Sequence, residues 1–174
     1  MTLVFGGMFD PPHVGHVRLV ESAKRRFGAE RVLVLVVAAP GHREVVASAA
    51  DRLALARAAF PGEDVELDEH QRTIDMLRAR QLDDPVLIVG ADELADFPNW
   101  KEPEAVLELA RLAVGERPGF ARTDTPAGVT FFEIEPTPVS STDIRSRVAA
   151  REPVDGLVPS AVAGEIERLG LYRG

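Results

Sequence analysis

The segment from residue 3 to residue 27 constrains this chain more than any other part of its sequence. Leu3 to Phe5 form a short apolar run that ends at Gly6 and Gly7, the pattern of a buried strand stopped by a turn. Apolar residues then recur at steps of three and four, at Val14, Val17, Val20, Ala23 and Phe27. The segment therefore predicts a strand, a glycine turn and an amphipathic helix, an arrangement whose free N–H groups bind phosphate.

Two histidines lie at the start of this predicted helix. His13 and His16 are three residues apart, so their side chains share one face with Cβ atoms roughly 5–6 Å apart. Imidazole donates hydrogen bonds to anionic oxygens, more strongly when it is protonated, and we interpret the pair as a grip on a polyphosphate. A metal site and a merely structural pair remain alternatives. No third or fourth ligand of a zinc centre follows nearby, and the chain has no cysteine.

The string from Gly6 to His16 resembles the GG-x-FDP-x-H-x-GH signature of bacterial nicotinate-mononucleotide adenylyltransferases, within the wider HxGH nucleotidyltransferase superfamily. The resemblance implies a Rossmann-like sheet and a reaction in which the phosphate of nicotinate mononucleotide attacks the α-phosphorus of ATP. Deamido-NAD and pyrophosphate would be the products. It also implies that His13 and His16 are catalytic. The residues that it implies at the ATP site in this segment are Gly6, Gly7, Met8, Phe9, His13 and His16.

A second informative segment runs from Val139 to Arg145. Ser140 and Asp143 have the spacing of a helix N-cap, so hydroxyl and N–H groups at this helix start would face a nucleotide. Arg145 would add a cationic fork for phosphate, although an ordinary cap with a surface arginine is the alternative. The string resembles the I-S-S-T-x-I-R motif of the same family, which implies a catalytic role for Arg145. The residues that it implies on the ATP side are Ser141, Thr142 and Arg145.

Three further positions follow predicted strands or loops. Asp92 comes just after Gly90 at the end of a buried strand, where ligands gather in α/β sheets, or else it caps a short helix. Trp100 lies in a polar loop and is either a core residue or a ring that stacks on a pyridine. Thr73 either caps its helix or marks N–H groups that meet a carboxylate. The resemblance to family motifs implies the ligand contact in each case: Gly90 and Asp92 near the ATP ribose, Thr73 and Trp100 at the nicotinate.

The acceptor side of the predicted site departs from the family. Arg43 and Arg52 are cations at strand-end loops, and we assign both to acceptor binding. The positions that differ from the family's usual residues are Gly41, Arg43, Gln71, Arg72 and Met76. ATP binding is therefore better supported by the sequence than the identity of the molecule that ATP reacts with.

Alternation of apolar runs with helical patterns predicts the fold class. Residues 32–37 are six apolar residues without alternation, typical of a strand buried on both faces, and residues 85–89 repeat this pattern. We expect an α/β, Rossmann-like, doubly wound and mostly parallel sheet with helices on both faces. A length of 174 residues predicts one nucleotidyltransferase domain, 1–174. The segment 115–128, with two prolines and three glycines, is expected to be a mobile loop.

Composition limits the partners. A net charge of −8 without a block of basic residues argues against a nucleic-acid polymer. No apolar run approaches the length of a membrane span and no leader pattern is present, so we expect no membrane partner and a cytoplasmic location. The absence of cysteine excludes disulfides and thiol nucleophiles. A homo-oligomer is left open.

The implied reaction needs little chemistry from the protein. A phosphate monoester, with its second pKa near 6, is already anionic at pH 7, so no general base is required. Mg²⁺ would accompany ATP, held mainly by phosphate oxygens and water rather than by a protein metal site. Two alternatives remain. One keeps the chemistry and changes the acceptor to nicotinamide mononucleotide or phosphopantetheine, and the other is a nucleotide-binding sensor that has lost catalysis.

Overall fold

The computed structural model describes residues 1–39, 41, 44–116, 127–135 and 137–173, and strands and helices alternate through most of them. The strands are β1 (Thr2–Gly7), β2 (Val32–Val37), β3 (Asp64–Asp68), β4 (Pro85–Gly90), β5 (Arg111–Glu116) and β6 (Val129–Glu133). The helices are α1 (Val14–Phe27), α2 (Ala49–Ala59), α3 (Thr73–Arg80), α4 (Ala91–Asp96), α5 (Pro103–Leu109), α6 (Ser141–Ala149) and α7 (Ser160–Leu169). A short 3₁₀ turn, Phe97–Asn99, follows α4.

The six strands form one parallel sheet in the order β3-β2-β1-β4-β5-β6. β1 pairs with β2 on one side, with Gly7 opposite Val36, and with β4 on the other, with Val4 opposite Leu87. The chain order reverses between β1 and β4. In open α/β sheets, ligands bind outside the carboxyl ends of the strands at such a reversal. The fold class predicted from the sequence is confirmed, and it directs attention to the ends of β1 and β4.

Helices cover both faces of the sheet. Successive strand residues point to opposite faces, so Val34 and Val36 join one core cluster while Leu35 between them joins the other. The first cluster includes buried residues of α1, α2, α6 and α7, and the second includes residues of α3 and α5. Burial on both faces explains why β2 is a continuous apolar run. Among the described residues, no helix has both the length and the apolar character needed to cross a membrane.

The predicted elements agree closely with the observed ones, with one exception. Strand 32–37 has the bounds predicted from sequence, and α1 covers the segment whose apolar residues recur from Val14 to Phe27. The sequence predicts a polar loop around Trp100, whereas the residues that lead up to it, 91–99, form α4 and the 3₁₀ turn. A helix of six residues is too short to display a periodic apolar face. Residues 117–126, most of the predicted mobile loop, lie outside the described residues.

Candidate active site

The two segments singled out in the sequence lie against each other. The Ser141 hydroxyl at the start of α6 donates a hydrogen bond of 2.8 Å to the Pro11 carbonyl oxygen. The Arg145 guanidinium donates one of 2.7 Å to the Asp10 carbonyl oxygen. The loop after β1 and the N-terminus of α6 therefore form one continuous wall at the carboxyl edge of the sheet.

The two histidines form a stacked pair at the start of α1. Their ring centroids are 3.7 Å apart with 25° between the ring planes. His13 is the N-cap residue, and its backbone N–H donates to Nδ1 of His16 over 3.1 Å. Because Nδ1 of His16 accepts this bond, the proton of the neutral ring lies on Nε2, which is left as a donor. A Cβ at Gly15 would lie 3.0 Å from His13 Nδ1, so glycine there gives the His13 ring its room.

Both histidines are neutral at physiological pH. Burial lowers the pKa of His13 to about 4. Burial, and after it the neighbouring His13, lowers the pKa of His16 to about 3. The stronger donation expected of a protonated imidazole is therefore not what this site offers near pH 7. Its donors are neutral N–H groups.

Phe9 supports the histidines from the core. Its side chain is 2% exposed, and its ring meets His16 edge to face at 5.4 Å between centroids. A Cβ at Gly7 would lie only 2.8 Å from Phe9 Cζ, whereas one at Gly6 would meet nothing within 4 Å. Gly7 thus makes room for Phe9, while Gly6 leaves open space beside the strand. The Phe9 ring is buried in the core, so the prediction of an ATP contact by this side chain is wrong.

Arg145 is half-buried and oriented by uncharged oxygens. Besides Asp10, it donates to the Thr142 hydroxyl over 3.2 Å. Guanidinium carries five N–H donors, and these bonds fix the plane of the group without cancelling its charge. The N-cap predicted at this helix is confirmed, since the Ser140 hydroxyl accepts from the backbone N–H of Asp143 over 3.1 Å.

Arg52 has a different role from the one predicted. Its side chain is 1% exposed, and burial lowers its pKa from the ordinary value. Its guanidinium donates to four backbone carbonyl oxygens, those of Met8, Val37, Ala38 and Ala47, over 2.7 to 3.3 Å. The prediction that Arg52 binds the acceptor is therefore wrong: the residue clamps the ends of β1 and β2 to α2.

The remaining predicted residues lie at the ends of β3 and β4. Thr73 is the first residue of α3, whose N-cap is Arg72 and which has no side-chain cap, so Thr73 does not cap its helix. Asp92 is exposed in the first turn of α4. Trp100 is half-buried after the 3₁₀ turn and meets Phe97 edge to face at 5.2 Å. Arg43 lies outside the described residues.

Sequence reasoning missed the side chain of Asp10. It is 3% exposed and accepts hydrogen bonds from the Val46 and Ala47 N–H groups and from the Tyr172 hydroxyl. Asp10 lies within the first motif, which could have marked it as important. The motif alone does not show which groups the carboxylate binds. His70, whose Nδ1 lies 2.7 Å from the Asp68 carboxylate after β3, was also not singled out.

Comparison with known proteins adds relatives over nearly the whole chain. The Cytidylyltransferase-like family matches residues 4–147. A probable nicotinate-nucleotide adenylyltransferase of Roseiflexus sp. (strain RS-1) is 35% identical over 98% of this chain and 96% of its own length. Proteins of the same description from Bordetella avium and Thermus thermophilus are each 37% identical, over 98% of this chain and 96% and 98% of their own lengths.

Solved structures share the fold. Plasmodium falciparum nicotinic acid mononucleotide adenylyltransferase in complex with NaAD superposes with a TM-score of 0.80 and 14% identity, over 98% of this chain and 96% of that one. Its complex with APC gives a TM-score of 0.76 and 16% identity, with the same coverage. At these identities the likeness concerns the arrangement of helices and strands.

Proposed function

This chain belongs to the nicotinate-nucleotide adenylyltransferases within the Cytidylyltransferase-like family, and we propose that it transfers the adenylyl group of ATP to the phosphate of nicotinate mononucleotide. The products are deamido-NAD and pyrophosphate. The observation that carries the proposal is the contact between the loop bearing the stacked histidines and the helix start bearing Arg145. Neutral donors and a fixed cation thus face one edge of the sheet.

The reaction is an in-line displacement at phosphorus. An oxygen of the acceptor phosphate forms a bond to the α-phosphorus of ATP, and the bond from that phosphorus to the oxygen bridging to the β-phosphate breaks. The electron pair leaves with pyrophosphate. Since the attacking phosphate is largely anionic at pH 7, the enzyme has no proton to remove. Positioning and charge stabilisation therefore account for the catalysis.

The side chains divide this task. The Nε2–H of His16 donates to the oxygens of the reacting phosphates, and His13 stacks beside it. Arg145 supplies the positive charge that the neutral imidazoles lack, facing the charge that develops on the departing pyrophosphate. The N-termini of α1 and α6 add N–H groups and partial positive charge. Gly6, Met8, Gly90, Asp92, Ser141 and Thr142 complete the ATP side of this proposal.

The acceptor side is assigned to three positions. The first turn of α3, at Thr73, has no side-chain cap and so can offer its N–H groups to the nicotinate carboxylate. Trp100, packed on Phe97, can offer a ring face to the pyridine. Arg43 is retained as a phosphate contact on sequence grounds alone.

Mg²⁺ is proposed to arrive with ATP. Within the described residues, no three His, Asp or Glu side chains gather as a metal site would require. The Asp10 carboxylate, although close to the histidine loop, already accepts three hydrogen bonds. These residues fit a cation held by phosphate oxygens and water, whose contribution would be to neutralise charge on the triphosphate.

A panel of acceptors tests the proposal. The purified protein is mixed with ATP and, separately, nicotinate mononucleotide, nicotinamide mononucleotide and phosphopantetheine, and pyrophosphate release is measured. We expect the highest kcat/KM with nicotinate mononucleotide. A preference for either other acceptor would keep the chemistry and overturn the substrate. Binding of ATP without turnover on any acceptor would instead support the nucleotide-binding sensor.

Three expectations from the sequence stay predictions. They are a single domain over residues 1–174, a cytoplasmic location and the possibility of a homo-oligomer. Limited proteolysis checks the first, because a single domain should be cut mainly in loops without releasing a stable fragment. Light scattering of the purified chain checks the last.

A further inference from the structure

Tyr172 connects the end of the described chain to the active-site loop. It follows α7, has a left-handed backbone with φ of 61°, and its side chain is 9% exposed. Its hydroxyl donates a hydrogen bond of 2.7 Å to Oδ1 of Asp10, which is 162 residues away in the sequence. A non-glycine residue in this conformation is uncommon, and here it coincides with a buried side chain that reaches the histidine loop.

Asp10 is the point where three parts of the site meet. Its Oδ2 accepts from the Val46 N–H over 2.7 Å and its Oδ1 from the Ala47 N–H over 3.1 Å, just before α2. Its main-chain carbonyl accepts from Arg145 of α6. The residue itself lies three positions before His13. One residue thus joins the histidine loop, the chain leading into α2 and the α6 arginine.

Because Asp10 is buried, losing the hydrogen bond from Tyr172 would leave its carboxylate without a replacement donor. The Asp10 side chain is 3% exposed, so water does not readily replace a lost donor. Burial, and then the bond to Asp10, raises the pKa of the Tyr172 hydroxyl above its ordinary value. The phenol therefore stays protonated, and stays a donor, at any pH at which the enzyme would work. The guanidinium groups of Arg52 and Arg145 also face this pair.

We propose that Tyr172 is a positioning residue for adenylyl transfer. By holding the Asp10 carboxylate, it fixes the chain leading into α2 against the loop that carries His13 and His16. The chain that leads into α2 begins at the end of β2, on the acceptor side of the site. Tyr172 therefore acts mainly on the alignment of the acceptor phosphate and less on ATP. This inference rests on the function proposed above.

Tyr172→Phe removes the hydroxyl and little else. We expect kcat to fall about tenfold and KM for nicotinate mononucleotide to rise about fivefold, whereas KM for ATP stays within twofold; tenfold corresponds to ~1.4 kcal/mol. The control is Val162→Ala, a buried position of α7 whose apolar side chain packs in the core and has no atom that could bond to Asp10. It should lower thermal stability and leave the kinetic constants of the folded enzyme unchanged. Kinetic constants of Tyr172→Phe equal to wild type, or altered only as in Val162→Ala, would overturn the proposal.

Asp10→Ala, which removes the acceptor of the Tyr172 hydroxyl, completes a double-mutant cycle. If Tyr172 acts through Asp10, the kinetic effect of Tyr172→Phe should largely disappear in the Asp10→Ala background, and additive effects would contradict that route. Amide hydrogen exchange gives a readout that does not need turnover. Exchange at Val46 and Ala47 should be at least tenfold faster in Tyr172→Phe and unchanged relative to neighbouring amides in Val162→Ala. If the wild-type protein releases no pyrophosphate, the proposed function is wrong. If exchange at Val46 and Ala47 is unchanged in Tyr172→Phe, the positioning role of Tyr172 is wrong, whether or not the proposed function holds.

Discussion

The two halves of the proposed site are built in different ways. On the ATP side, two side chains of the second motif, Ser141 and Arg145, donate to main-chain carbonyl oxygens of the first motif, in the loop after β1. On the acceptor side, a main-chain bond joins the ends of β2 and β3, from the Ala38 N–H to the Asp68 carbonyl oxygen over 2.9 Å. The carbonyl oxygens that follow β1 and end β2 are held there by Arg52, which belongs to neither motif.

This difference explains why the two halves respond differently to sequence change. Where the proposed ligand contacts and the bonds that hold them come from side chains within a motif, residue identities are constrained and form a recognisable string. Where main-chain groups form the surface, side chains can differ while the backbone path is kept. The departures Gln71, Arg72 and Met76 all lie on the acceptor side, and Met76 is a buried core residue of α3. Altered side chains there are compatible with an unchanged backbone path.

The strongest test of the ATP side removes one donor. In His16→Asn, the asparagine Oδ1 can still accept from the His13 N–H, but the Nε2–H is lost. We expect a loss of ~2–4 kcal/mol of transition-state stabilisation, the scale of one preorganised donor, or roughly 30-fold to 1,000-fold in kcat. Steady-state pyrophosphate release measures kcat, and thermal unfolding checks that the fold is kept.

His16→Gln is the matched control. Its side-chain amide nitrogen reaches about as far as Nε2, so the donor is retained while the cap acceptor of His13 is lost. Its kcat should exceed that of the asparagine variant. The reverse order would mean that His16 acts by capping α1 rather than by donating to phosphate. His16 would then support the backbone, as Arg52 does on the acceptor side.

The strongest test of the acceptor side breaks its clamp. Arg52→Lys keeps a positive charge but replaces a planar fork with one ammonium group, which cannot serve four carbonyl oxygens. We expect a loss of about 1.5–3 kcal/mol in the free energy of unfolding, the range for hydrogen bonds to a charged group. Urea unfolding measures this loss, with Arg57→Lys, an exposed position on the same helix, as the control.

The opposite outcome would restore the role predicted from the sequence. A variant of Arg52 with wild-type stability and a raised KM for the mononucleotide would mean that the arginine leaves the carbonyl oxygens and binds the acceptor. The clamp interpretation requires the stability loss, whatever happens to KM.

The sequence predicted the fold and singled out the two segments that meet at the carboxyl edge of the sheet, because both predictions depend on local patterns. Six apolar residues in β2 and the spacing from Gly6 to His16 each lie within one element and its adjoining turn. Arg52 could not be assigned from sequence, since an arginine on a helix looks like a surface cation until the strand ends are brought to it. Tyr172 carried no local signal, because its partner is 162 residues away.

A smaller effect is expected at the acceptor ring. Trp100→Ala should raise KM for nicotinate mononucleotide roughly fivefold to 150-fold, or ~1–3 kcal/mol, the scale of ring stacking on a base. KM for ATP should stay unchanged, and Trp100→Phe should retain most of the affinity. Steady-state kinetics with each substrate varied in turn measures both constants. Because Trp100 also packs against Phe97, a lower melting temperature with an unchanged KM would show a core role instead.

The smallest effect we expect is on stability in acid, and it concerns His16 on the ATP side. The pKa of His16 is about 3 in the folded chain and about 6.5 when unfolded, so the unfolded state takes up the proton first as the pH falls. Stability is therefore lost as the pH falls below about 6.5. In urea unfolding at pH 7 and pH 5.5, the wild type should lose about 1 kcal/mol more than His16→Asn, which has no group titrating at that position. His70, on the acceptor side, is present in both chains and cancels in the comparison. Equal losses in the two proteins would mean that His16 is solvated enough to protonate in the folded state, and that a neutral Nε2–H is not the donor the ATP side provides.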